Sequence, residues 1–170
     1  MGLGMTRAVR VLVLFATVVA GGAACHFKNP VTPMVAGRAA DALSLPASAI
    51  NSHPDPETVR GALDYALLQN EGLLLSAPKH EGLLLTLCSQ YVLYATWFLQ
   101  PDAEAMQFSD AQKSQATLAR ALRLASRGKD LCWRSLEAED KHFAERVDQN
   151  PDVAAHRFER DEVPLLYWSA

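Results

Sequence analysis

The sequence has few of the features that mark enzymes, nucleic-acid binders or β-proteins. It contains no G-x-S-x-G elbow, no phosphate-binding loop and no H-E-x-x-H pair, so an enzyme is unsupported and no cofactor is expected. The 16 Lys and Arg residues are outnumbered by 19 Asp and Glu, which disfavours nucleic acid as a partner. Strand signals are almost absent. The composition, 49% hydrophobic and 21% charged over 170 residues, indicates one globular, all-α domain.

The first 24 residues predict a secretory signal peptide. Arg7 and Arg10 precede a short apolar run at 11–20, and small residues follow up to Cys25. The run is too short to span a bilayer, which needs about 20 residues. Cleavage after residue 24 removes those two arginines and no acids, which leaves 14 basic and 19 acidic residues, a net charge of −5. A cysteine at this point favours a lipoprotein acylated at Cys25; plain signal-peptidase cleavage at the same bond is the alternative.

Residues 55–100 predict two antiparallel amphipathic helices joined by a turn at 76–79. Asp55 is placed to cap the first helix and Pro56 suits its first position. The apolar positions of this helix recur at spacings of three and four: Val59, Leu63, Ala66, Leu67 and Leu74. The second helix is apolar nearly all round, so other helices must flank it. Its leucine and tyrosine spacing matches a degenerate tetratricopeptide repeat, and an ordinary helical hairpin is the alternative.

Further helices are predicted on both sides of this hairpin. A small helix over 32–45 has a shallow apolar face made of Val35, Ala36, Ala39, Ala40 and Leu43. After a loop at 101–108, Ser109 and Gln112 form a capping-box pattern that starts a long helix. That helix is predicted to turn inward Leu118, Leu122, Ala125, Cys132 and Leu136, and Ala121, Ala125 and Gly128 on one side permit close approach of a neighbour.

The end of the chain predicts two further short helices. Asn150 and Pro151 are placed to cap one that continues to Arg160, and residues 161–164 start another that reaches Ala170. Cys88 and Cys132 fall on separate helices and pair only if their Cα atoms lie within about 7 Å. We expect two buried free thiols, because cysteine often serves as a small hydrophobe.

Two groups of residues are candidates for a functional site. Glu139 and His142 have the spacing that places a carboxylate and an imidazole on one helix face, as in di-iron bundles. No second copy of the pair occurs, so a solvated polar face is favoured and no metal is expected. The second group is aromatic and suits a ligand or peptide groove, although packing in the core is the favoured alternative. Its members are Tyr91, Tyr94, Trp97, Tyr167 and Trp168.

Four stretches of the chain together resemble the TatT family. They are AADALS at 39–44, DPETVRGAL at 55–63, the leucine-rich helix through Tyr91 and DEVPLLYWSA at 161–170. The family comprises lipoprotein components associated with TRAP-type transporters (tripartite, ATP-independent, periplasmic). The resemblance implies an all-α, degenerate tetratricopeptide-like superhelix without catalysis. It also implies a lipid anchor in the periplasm, with the outer membrane favoured, and a role in engaging the transporter's solute-binding protein or a ligand.

These expectations define three parts of the chain and one departure from the family. Residues 1–24 are the signal peptide, 25–31 the lipidated cysteine with its tether, and 32–170 the helical domain. Family members continue past the Tyr-Trp motif, so we expect this chain to be incomplete at its C-terminus and its last helix to lack a partner. Self-association, detergent binding or a mobile end would follow. A metal-binding protein or enzyme around Glu139 and His142, or a structural envelope lipoprotein, are the alternatives.

Overall fold

The computed structural model describes Met34, Val35, Arg38, Ile50 and residues 52–170. The signal peptide, Cys25 with its tether, and most of the predicted helix over 32–45 therefore lie outside the described residues. Over residues 56–170 the helices are α1 (Pro56–Ser76), α2 (Glu81–Tyr94), a π-helix (Ala95–Leu99), α3 (Gln100–Met106), α4 (Ala111–Glu139), α5 (Phe143–Gln149), α6 (Pro151–Ala155), a 3₁₀ helix (Arg160–Glu162) and α7 (Val163–Ser169). No strand occurs among the described residues. The predicted all-α fold is confirmed, whereas the tetratricopeptide-like detail stays a prediction.

Helix α1 begins where the sequence predicted. The Asp55 carboxylate accepts hydrogen bonds from the backbone N–H groups of Glu57 and Thr58, which satisfies two donors that have no partner inside the helix. All five of the predicted apolar positions are buried. The chain then turns at 77–80, and the His80 ring accepts the Leu83 N–H to cap α2.

Helices α1 and α2 are antiparallel, as predicted. Asn70 bonds Gln90, and Glu71 accepts a hydrogen bond from Tyr91 at 2.9 Å. Arg60, nearer the start of α1, pairs with Asp102 beyond the end of α2. Positions earlier in α1 thus meet positions later in the chain, as in a hairpin.

The helix after the turn continues further than predicted. The π-helix joins α2 to α3, so residues 101–106, which we expected in a loop, are helical. The widened turn is closed by a bond from the Gln100 N–H to the Ala95 carbonyl, five residues back. This shift of the hydrogen-bond ladder accommodates Pro101, whose ring would meet a carbonyl in a regular helix interior. The combined helix over 81–106 is long and apolar enough to cross a membrane, but 56% of its most apolar stretch is buried inside the fold.

Helix α4 packs along α2 through its small residues. A Cβ on Gly128 would lie 2.8 Å from the Cys88 carbonyl oxygen, so only glycine permits this approach. The predicted inward face of this helix was wrong at two positions. Leu118 is 43% exposed and Leu122 is 69% exposed. The N-cap is Asp110, which accepts the Lys113 N–H; the Ser109 capping box was wrong by one residue.

Cys88 and Cys132 form a disulfide between α2 and α4, with their Cα atoms 5.5 Å apart. The prediction of two free thiols was therefore wrong. The close contact at Gly128, one turn before Cys132, brings the two helices near enough for the bond. Both cysteines are fully buried. The Cys88 sulfur also lies 3.8 Å from the Trp168 carbonyl oxygen of α7, so the last helix covers the disulfide.

The C-terminal segment packs against α2 and α4. The helix after Asn150 ends at Ala155, earlier than the predicted Arg160, and a 3₁₀ helix leads into α7. We expected the apolar side chains of α7 to lack a partner, but Leu165 is buried and Leu166 and Trp168 pack on the core. An aromatic cluster supports this end: the Phe143 ring lies 5.3 Å from both the Trp133 and the Phe158 ring centroids.

Candidate functional site

Two concave surfaces among the described residues have opposite chemistry. The first, here called the Trp97 hollow, has a volume of about 430 Å³ and lies between the start of α1 and the π-helix. Its walls are mostly apolar, and they are formed by Ile50, His53, Pro56, Val59, Thr96, Trp97, Phe98 and Pro101. The hollow therefore suits an apolar or aromatic group rather than an ion.

Trp97 and Phe98 are neighbours in the π-helix and differ in their exposure. Phe98 is buried, whereas Trp97 is 50% exposed, so the two neighbouring rings face in different directions. The polar groups beside them are satisfied locally: the Thr96 hydroxyl donates to the Val92 carbonyl, and the His53 ring accepts the Asp55 N–H. The rim therefore has few free polar groups, and the exposed indole is the feature best placed to meet a partner.

An ion pair links the two helices that contribute Pro56 and Pro101 to the hollow. Arg60 of α1 donates two hydrogen bonds to Asp102 of α3, at 2.7 and 3.1 Å, and its guanidinium lies 4.9 Å from the Phe98 ring centroid. The hydrogen bond from Arg60 holds the pKa of Asp102 below its usual value. Because this pair spans the two helices that line the hollow, it positions Phe98 and the turn next to Trp97.

The other aromatic candidates have different surroundings. Tyr91 donates to Glu71, which also accepts hydrogen bonds from Arg127, so the three side chains link α2, α1 and α4. Burial, together with the Glu71 carboxylate, raises the pKa of Tyr91 to about 12, and its hydroxyl stays a neutral donor. Tyr94 is also buried. Its pKa is raised, mainly by burial and to a smaller extent by its hydrogen bond with Asp64.

The last pair, Tyr167 and Trp168, lies on α7. Tyr167 is 71% exposed, Trp168 is partly buried, and their ring centroids are 5.0 Å apart. The structure therefore does not gather the five predicted residues into one groove. Of the five, Trp97 lines the hollow, whereas Tyr91 and Tyr94 are held by contacts inside the helical packing.

The second concave surface, here called the acidic cleft, has a volume of about 470 Å³. It lies where the start of α2 and the end of α4 meet the 3₁₀ helix, and its lining is Glu81, Glu139, Asp140, Arg157, Phe158, Glu159, Asp161 and Glu162. Asp140 is engaged by Arg146 and Arg157, so part of the negative charge is neutralised inside the fold. The sequence analysis missed this cleft, although three acids within four residues, Glu159, Asp161 and Glu162, were a signal for it.

The structure also separates Glu139 from His142. Helix α4 ends at Glu139, Asp140 caps it, and His142 precedes α5, so the two side chains do not share a helix face as predicted. His142 instead lies 3.1 Å from Glu145. Among the described residues, no three His, Cys, Asp or Glu side chains are grouped as metal ligands would be.

Comparison with known proteins identifies the class. Residues 52–170 match the TRAP transporter T-component family, and the chain belongs to this family. It is 30% identical over 118 residues to an uncharacterized protein of Treponema pallidum (strain Nichols). That match covers 67% of this chain and 36% of the relative, so the chain spans about a third of the relative's length. No solved structure matches. The family is described as the T-component of TRAP transporters.

Proposed function

We propose that the chain is a non-catalytic, lipid-anchored periplasmic scaffold that engages the solute-binding protein of a TRAP transporter through the Trp97 hollow. The observation that carries this proposal is the half-exposed Trp97 at the edge of an apolar cavity of about 430 Å³. Tryptophan is enriched among the residues that dominate binding energy at protein interfaces, and such residues sit in well-packed pockets. Family membership supplies the transport system in which the partner is to be sought.

The walls of the hollow suit a side chain offered by a protein partner. Pro56 and Pro101 both line the hollow, at the first turns of α1 and α3, where each ring is compatible with the helix. Both prolines and the Arg60–Asp102 pair keep the opening in one geometry, and pre-organisation lowers the entropy lost on binding. An apolar anchor residue on the partner, surrounded by a polar rim, would match this surface.

Cysteine usage supports export and an anchor at Cys25. The chain has three cysteines, and Cys88 and Cys132 are paired, so Cys25 is left without an intramolecular partner. Disulfides persist in oxidising compartments such as the bacterial periplasm, in agreement with the predicted signal peptide. A single cysteine directly after small residues is then well placed for acylation. Each buried CH₂ group of the acyl chain adds about 0.8 kcal/mol of membrane affinity.

Binding by a Trp97→Ala variant tests the hollow. A TRAP solute-binding protein, sought in the genomic neighbourhood of this chain, is titrated with the wild type and the variant, and calorimetry reports Kd. Loss of a central tryptophan should cost about 2 kcal/mol, or roughly thirtyfold in Kd. Phe108→Ala is the matched control, because Phe108 is 95% exposed and lies outside the lining of the hollow. Equal binding by wild type and Trp97→Ala would reject the hollow as the docking surface.

The anchor is tested by a Cys25→Ser variant expressed with its own signal peptide. Cell fractionation should move the variant from the membrane fraction to the soluble periplasmic fraction, and mass spectrometry should find acyl chains on the wild type alone. If the variant remains with the membrane, plain secretion followed by protein-mediated attachment replaces the lipid anchor. The result is independent of the Trp97 test, so either half of the proposal can fail alone.

A further inference from the structure

The Trp97 hollow is apolar inside but has charged residues directly beside its walls. No Lys, Arg, Asp or Glu is among the residues that line it. The residues next to the lining ones in the sequence include four charged side chains, here called the flanking charges. They are Asp55 and Glu57 on either side of Pro56, Arg60 after Val59, and Asp102 after Pro101. Three of the four are acidic, so the charge that a partner meets depends on how far Arg60 is available.

Arg60 is already engaged by two of these acids. Its guanidinium donates to Asp102 at 2.7 and 3.1 Å, and its Nε lies 3.5 Å from the Glu57 carboxylate. The Arg60 side chain is 27% exposed, against 76% for Glu57 and 41% for Asp102. Three carboxylates and one guanidinium leave a net charge of −2. A partner that approaches the hollow therefore meets mainly negative charge.

The flanking carboxylates keep their charge at neutral pH. The hydrogen bond from Arg60 lowers the pKa of Asp102, and hydrogen bonds from the Thr58 side chain and the Glu57 N–H lower the pKa of Asp55. The charge of Asp55 is partly compensated by the N–H groups that it caps, because a helix start carries partial positive charge. Glu57 is therefore the flanking charge that is most available to a partner.

We propose that the partner surface docked on the Trp97 hollow carries lysine or arginine side chains around its apolar anchor residue, an inference that rests on the proposed function. Opposite charges across an interface steer the encounter and exclude like-charged partners. The hollow then holds the complex together, whereas the flanking charges speed its formation. Association should slow as salt rises, because exposed charges are screened over about 10 Å at 0.1 M salt and about 3 Å at 1 M.

Rates of association and dissociation separate the two contributions. A TRAP solute-binding protein, sought in the genomic neighbourhood of this chain, is immobilised, and biolayer interferometry gives kon and koff at low and high salt. Glu57→Lys should lower kon by about two- to fivefold at low salt, and the difference should vanish at high salt. Glu137→Lys is the matched control, because it makes the same charge reversal at an exposed site outside the lining of both concave surfaces. Trp97→Ala should instead raise koff.

A second variant and the Trp97→Ala rates make each outcome decisive. Glu57→Gln removes the charge without placing a lysine at the start of α1, and it should lower kon in the same direction by less. Equal kon for Glu57→Lys and Glu137→Lys, or a wild-type kon that does not fall with salt, would overturn the inference. Docking in the hollow would still stand in that case if Trp97→Ala raises koff. Wild-type rates for Trp97→Ala would reject the docking surface itself, and the inference with it.

Discussion

Glycine has opposite surroundings on the two helices that flank α2. In α4, a Cβ on Gly128 would lie 2.8 Å from the Cys88 carbonyl oxygen and 3.1 Å from side-chain atoms of Tyr91 and Val92. In α1, a Cβ on Gly72 would meet nothing within 4 Å. The first glycine lets two backbones approach and be joined by a disulfide, whereas the second leaves a helix face bare. Both glycines lie inside helices of the same geometry, so what differs is whether their side of the helix touches α2. The close contact of α4 with α2 at Gly128 is here called the seam.

The largest effect should come from the disulfide across this seam. Replacing both Cys88 and Cys132 by Ala should cost about 2–4 kcal/mol in the free energy of unfolding, because the unfolded chain is no longer cross-linked. Urea unfolding measures the change. Reductant provides the control: dithiothreitol should lower the midpoint of the wild type and leave the double variant unchanged. If the double variant unfolds at the wild-type midpoint, the bond contributes nothing to the seam.

The next largest effect is expected at Gly128. The Gly128→Ala methyl group would press on the backbone of α2, and overpacking of this kind costs about 1–3 kcal/mol. A helix-interior alanine is intrinsically favoured over glycine by about 1 kcal/mol, so the two effects have opposite signs. Chemical denaturation should show destabilisation, with exposed Ser126→Ala on the same helix as control. A more stable Gly128→Ala variant would mean that the seam is looser than described.

The Arg60–Asp102 pair should have an intermediate, pH-dependent effect. The Asp102 carboxylate is 41% exposed, so solvent screening limits the loss on Asp102→Asn to about 1 kcal/mol. The pKa of Asp102 is lowered in the fold, so its contribution is present above the unfolded value of about 3.9 and disappears as pH falls through the folded value.

Unfolding of wild type and Asp102→Asn should accordingly differ near pH 7 and converge in acid, below the usual aspartate range. The exposed Asp148→Asn is the control at neighbouring pH values and should track the wild type throughout. A difference that persists in strong acid would show that the asparagine perturbs packing around Phe98 rather than removing a charge.

Local signals made much of the fold predictable. Asp55 with Pro56, and Asn150 with Pro151, each start a helix where expected, because a cap is a contact between residues two or three positions apart. The turn after Ser76 and the all-α class follow from the same short-range patterns. The continuation through Pro101 was missed because it depends on a π-turn, and apolar spacing alone does not distinguish a π-turn from an α-turn.

Features that depend on long-range packing were not predictable in the same way. Cys88 and Cys132 are 44 residues apart, and their pairing depends on the close approach of α2 and α4 at Gly128. The spacing of small residues in the sequence suggested a close contact there but did not identify its partner. The Trp97 hollow brings residues near Pro56 together with residues near Trp97, about 40 positions later in the chain. The pattern of aromatic residues could therefore name Trp97 as a candidate, but it could not show that Trp97 lines a cavity whereas Tyr91 and Tyr94 do not. The acidic cleft likewise combines three separate segments.

The smallest effect, and the sharpest contrast with the seam, is expected at Gly72. Gly72→Ala adds a methyl group in open space and removes backbone freedom from the unfolded chain, so it should stabilise the protein by about 0.5–1 kcal/mol. In thermal unfolding this is a rise in Tm of about 2–4 °C. Gly61→Ala is the matched variant, because a Cβ at Gly61 also meets nothing within 4 Å. Equal gains at both glycines would agree with a helix face that is bare at both positions. Destabilisation at Gly72 would remove the contrast with Gly128 altogether.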